Sequence, residues 1–124
     1  EDVPPTDYSE AIDLTLDTLR EKTDLPIALV YLPGVPMIQD QALLLEDANA
    51  AWVEYLNVAA AAHNIDVIDM TALSIERYHE TGEFPRGFNN GSPTAGHSNP
   101  GAFTMTARRI CEYLKEHRDD IFAD

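Results

Sequence analysis

An unbroken apolar run, Ile27-Ala28-Leu29-Val30-Tyr31-Leu32, lies between Pro26 and Pro33-Gly34 and constrains this chain more than any other stretch. No polar residue alternates with the apolar ones, so the run predicts a strand covered on both faces, as inside a parallel sheet. A parallel partner needs a crossover connection, usually a helix. The chain supplies one: Leu45, Ala48, Trp52, Val53, Leu56, Ala59 and Ala60 recur at helical spacing in a segment that starts at Leu43 or Glu46 and runs to His63. Asn64 is its stop signal, since asparagine tolerates the left-handed conformation at a helix end. Asp66-Val67-Ile68-Asp69-Met70 then reads as a second strand, completing a right-handed βαβ unit. The expected elements are parallel strands near 27–32 and 66–70 and helices near 8–22, 46–63 and 101–117.

Around this unit the chain reads as a single α/β domain, a parallel sheet flanked by helices. Glu1 to Thr6, with Pro4 and Pro5, is an extended lead-in. Asp7 followed by Glu10 resembles a capping box, and Tyr8, Ile12, Leu16 and Leu19 give the helix behind it an apolar stripe. Pro33 to Gln41 reads as a loop at the carboxyl end of the first strand, where open α/β sheets place ligands. Ala72 to Tyr78 reads as a short helix and Glu80 to Gly91 as a loop. A fully apolar strand needs neighbours on both edges, yet only one partner strand is legible. The chain is therefore expected to pair with a missing N-terminal segment or with another chain.

A second constraint lies between Gly87 and Leu114. A long polar, Gly-rich loop ends in Gly96-His97-Ser98-Asn99-Pro100-Gly101 and passes directly into a helical pattern. Ser98 or Asn99 can cap that helix, and Pro100 suits its first position, where no N–H is needed. Phe103, Ala107, Ile110, Cys111 and Leu114 fall on one face, predicted to point inward. Cys111 is the only cysteine, so an internal disulfide is excluded and its expected role is that of a small buried hydrophobe.

The block from Gly96 to Gly101, with Ala107 and Ile110 behind it, resembles the last motif block of the SGNH (GDSL-type) hydrolases. That resemblance implies a flavodoxin-like parallel sheet of which these two strands would be the last pair, so that the chain would be the C-terminal portion of a larger domain. It implies that His97 is the general base of a Ser-His-Asp triad, and that the nucleophilic serine lies outside these residues. The family places its acid two or three residues before the histidine, where this chain has Ala95 and Thr94. Asp69, at the end of the second strand, or the Thr94 hydroxyl would then orient the imidazole. Without that context, a loop histidine is an ordinary surface residue and an aspartate after a strand caps the following turn.

Other chemistries are poorly served. The formal net charge of −14 disfavours nucleic acid and anionic membranes, because phosphate binding needs clustered Lys and Arg. No apolar stretch reaches spanning length. His63, His79, His97 and His117 lack metal-ligand spacing, and no phosphate-cradling glycine pattern occurs, so no metal or cofactor is expected. Ser92 lacks a strand-turn-helix elbow, and Asn89-Asn90-Gly91 is turn composition first. No targeting segment declares the compartment; a secreted or periplasmic one is favoured. The sequence thus predicts an ester hydrolase of SGNH type acting on a small acyl or acetyl ester, including one carried on a carbohydrate. The alternative is a noncatalytic α/β module that uses the 87–101 loop to bind a ligand or partner.

Overall fold

A computed structural model describes residues 6–87 and 96–118. In chain order it contains α1 (Ser9–Lys22), β1 (Ala28–Tyr31), β2 (Met37–Gln39), β3 (Ala42–Leu44), α2 (Ala50–Ala62), β4 (Asp66–Asp69), α3 (Thr71–Thr81) and α4 (Pro100–His117). The chain is α/β: β1 and β4 form a small parallel sheet, and β2 and β3 form a separate antiparallel pair. Two compact units result. One holds the chain up to Tyr31 together with Ala48–Ile68, the other Leu32–Asp47 together with the chain from Asp69 onward.

The first unit is built by α1 and α2 on one face of the parallel sheet. Asp7 starts α1 by accepting from the Ser9 hydroxyl at 2.6 Å and the Ser9 N–H at 2.9 Å. These bonds, the hydroxyl one foremost, hold the Asp7 carboxyl below its ordinary range. Asp7 is thus the initiating residue, with Ser9 rather than Glu10 as its partner. The core consists of Leu16, Ala60 and Ile65, surrounded by Ile12, Ile27, Leu29, Leu56, Ala59 and Val67. Asn64 adopts the left-handed conformation at φ +56°. Its N–H reaches the Ala61 carbonyl while the Ile65 N–H reaches Ala60 O at 2.9 Å. This Schellman closure ends α2 and turns Ile65 back onto Ala60. The Asp66 N–H then bonds Ile27 O at 3.1 Å, bringing the second strand in beside the first.

Both runs are strands and the segment between them carries a helix, as expected, but three details differ. The β1 run is covered on one face only: Leu29 and Tyr31 are half-buried, whereas Ala28 and Val30 are exposed. Its composition suits burial on two faces, while the helices of this unit cover the side carrying Ile27, Leu29 and Val67. Next, Pro33 to Gln41 is not simply a loop. Met37, Ile38 and Gln39 pair with Leu44, Leu43 and Ala42 across a two-residue turn, in which Asp40 and Gln41 both take positive φ, +50° and +65°. Turns of that hand are usually announced by Asn-Gly or Asp-Gly, and Asp40-Gln41 gives no such signal. Finally, α2 begins at Ala50 instead of Glu46, because Leu43 and Leu44, good helix formers in isolation, are taken up by the hairpin.

In the second unit α3 is longer than expected, running to Thr81 and closing on Gly82 at φ +73°, whose N–H bonds Tyr78 O at 2.8 Å. The inward face of α4 requires the larger correction. Ala102 is buried, and Met105, Thr106, Arg109, Ile110, Tyr113 and Leu114 are half-buried. Phe103 is 59% exposed, and Ala107 and Cys111 are also exposed. The buried face is turned by one residue, about 100° of helix, from the one predicted. Apolar residues occupy both candidate faces, and the structure buries the one that carries Ala102.

Candidate functional site

The His97 segment is fastened from both sides. Arg86 and Ser98 form an antiparallel bridge, the Gly87 N–H donates to His97 O at 3.0 Å, and the Asn99 N–H donates to Pro85 O at 3.0 Å. Pro85 and Gly87 are buried, and Gly87 holds φ +85°, a conformation that a side chain would strain. Asn99 settles the choice of cap: its Oδ1 accepts from the Ala102 N–H at 3.0 Å. Its amide nitrogen meanwhile donates to Phe84 O at 2.6 Å. One side chain therefore joins the start of α4 to the strand-like segment before the loop. Arg86 extends the same framework by donating to Pro33 O, and Arg77 pairs with Glu83 just after α3.

This dual bonding separates two kinds of substitution. Asn99→Asp keeps the capping oxygen but loses the donor to Phe84, whereas Asn99→Ala loses both. Caps of this type are worth about 1 kcal/mol and a hydrogen bond a similar amount, so the alanine variant should lose roughly 2 kcal/mol of stability and the aspartate about half that. Urea unfolding of both variants measures the difference. Equal stability of the alanine variant and the parent would show that Asn99 fastens nothing.

His97 itself is exposed at the mouth of α4. Among the described residues its ring has no hydrogen-bond partner, and no carboxylate lies within ion-pair distance of it. Asp69 is exposed as well, and its Oδ1 accepts from the Thr71 N–H at 2.9 Å and the Thr71 hydroxyl at 2.6 Å. That is the geometry of a residue opening α3, and the structure does not join Asp69 to His97. Thr94 lies outside the described residues, as do Ser92, Asn89 and Asn90. No group of His, Cys, Asp or Glu among the described residues is arranged to hold a metal ion, and none of the described helices is long and apolar enough to cross a membrane.

No family model matches this chain, and no curated protein or solved structure matches it either. The site is consequently defined by its own geometry. Sequence reasoning located His97 and the Asn99–Pro100 helix start but missed Arg86 and the second role of the Asn99 amide. Neither has a sequence signal, since both depend on carbonyls of residues brought close by the fold. It also missed a concavity of about 350 Å³ in the first unit, lined by Tyr8, Ile12, Leu16, Leu29, Trp52 and Leu56 among others. Trp52 packs edge-on against Tyr8 at 5.3 Å and Tyr55 at 6.2 Å, and the Tyr55 hydroxyl donates to Asp13 at 2.8 Å. That bond, with partial burial behind it, raises the Tyr55 phenol above its ordinary value.

Proposed function

We propose that this chain is the histidine-bearing, C-terminal part of an SGNH-type ester hydrolase with a flavodoxin-like sheet, acting on a small acyl or acetyl ester such as one on a carbohydrate. The observation that carries the reading is the placement of His97: exposed, on a loop base fastened by backbone pairing, at the N-terminal mouth of a capped helix. In this role the neutral imidazole takes the proton of a serine hydroxyl as the serine oxygen bonds to the ester carbonyl carbon. It returns that proton to the departing alcohol, and then repeats the cycle with water to release the acid. The serine comes from polypeptide outside these residues, either an N-terminal segment or another chain. The sheet supports that need. Among the described residues β1 pairs only with β4, while Val30 and Leu32 remain 38% and 40% exposed. In this reading the imidazole is oriented in the intact protein by Asp69, freed from Thr71, or by the Thr94 hydroxyl.

A second reading has its own support. With no carboxylate near His97 among the described residues, the same loop suits a noncatalytic module that binds a ligand or partner. The encoding reading frame separates the two: a Gly-Asp-Ser segment following an apolar strand supports the hydrolase. A fluorophosphonate probe adds a direct measurement, labelling a serine of the intact protein in the first case. An intact protein that carries no such segment and takes up no probe is the binding module.

A further inference from the structure

His63 sits between two acceptors. Its Nε2 lies 2.6 Å from Asp17 Oδ1 on α1, and its Nδ1 lies 2.7 Å from the Ala59 carbonyl in the last turn of its own helix. A neutral imidazole has a single N–H, so either tautomer would set a lone pair against one of these oxygens. Only the imidazolium donates to both. We propose that His63 is a proton-operated latch that tightens the junction between the C-terminal end of α2 and α1 and weakens it when the ring loses its proton.

The surroundings of the ring agree on the sign. From α1, Asp17 touches it and Asp13 adds a second negative charge nearby. Among the described residues the cation bonded at this junction is Arg20, also on α1, and its guanidinium is spread over the carbonyls of His63, Asn64, Thr23 and Leu25 at 3.0–3.1 Å. The carbonyl end of α2 carries partial negative charge and favours a cation there. The Ala59 carbonyl first, then Asp17, raise the His63 pKa above its ordinary value, outweighing partial burial. A group whose folded pKa is raised stabilises the fold fully below its unfolded pKa, about 6.5, and that contribution disappears as pH rises through the folded value. The latch is therefore closed below the unfolded pKa and opens only as pH rises through the raised folded one. The same two helices line the apolar concavity, so its release loosens one wall of that space.

The test uses the full chain. Nuclear magnetic resonance of the histidine ring protons gives the His63 midpoint, expected above 6.5. Amide exchange of α1, corrected for its intrinsic pH dependence, gives latch opening. The open population should rise about tenfold for each unit by which the folded midpoint exceeds the unfolded one. In Asp17→Asn the midpoint should fall and the exchange transition should fall with it. In His63→Gln that transition should vanish while the protein stays folded by circular dichroism. A parent midpoint at or below 6.5, or an α1 exchange transition that persists unchanged in His63→Gln, overturns the proposal. Should His63→Gln fail to fold, the shift in Asp17→Asn decides the matter alone, and an unmoved midpoint there overturns it too.

Discussion

Replacing His97 by Ala in the intact protein is expected, on the hydrolase reading proposed above, to lower turnover of a short-chain aryl acetate by about a thousandfold or more, with little change in melting temperature. The activity loss follows from chemistry: without the imidazole nothing accepts the serine proton as the oxygen attacks. The small effect on stability follows from location, because the ring is exposed and its backbone, rather than its side chain, holds the loop base together. Asp69→Asn provides the companion measurement. If Asp69 orients the base, turnover falls strongly; if it only opens α3 through Thr71, turnover persists, because an asparagine retains an acceptor oxygen for those donors. Full turnover in a folded His97→Ala protein would remove the catalytic assignment and leave the binding module.

The second large effect is expected in the first unit. Leu16 is 1% exposed and meets Ala60 and Ile65 where α1 crosses α2. Truncation to Ala should cost roughly 2–5 kcal/mol, the lost transfer energy plus that of the cavity left behind. The upper part of this range approaches the whole stability of a small domain, so partial unfolding at room temperature is the extreme outcome. Leu14, on the same helix but 66% exposed, is the control, and Leu14→Ala should change stability by no more than about 0.5 kcal/mol. Chemical denaturation of both variants measures the contrast. Similar losses for the two would mean that α1 is not held by its Leu16 face.

Much of the architecture was legible because it rests on local periodicity. The apolar runs at Ile27–Leu32 and Asp66–Met70, the Trp52–Leu56–Ala60 stripe and the Asn64 stop all operate through residues near one another in sequence, and each appears in the structure. Features set by distant partners were not legible. The β2–β3 hairpin turns on Asp40 and Gln41 in conformations their types do not advertise. The apolar residues of α4 fit two faces, and only the fold selects the one carrying Ala102, so that Phe103 and Cys111 face outward. At the candidate site, His97 and its helix start could be read from the chain alone. The surroundings of the His97 ring could not, since neighbours across the fold are specified by no spacing.

The fastening beneath the His97 loop carries an implication for how this chain can vary. Gly87 and His97 are already one hydrogen bond apart, and the adjoining Arg86–Ser98 bridge and Asn99 contacts fasten the same two segments. The stretch between Gly87 and Gly96 can therefore be treated as an exchangeable cassette. Each doubling of the length of chain between two fixed ends costs only about 0.6 kcal/mol in closure entropy. Cassettes of different length and composition can be grafted onto this base to change what the histidine meets, while the histidine stays anchored at the mouth of α4.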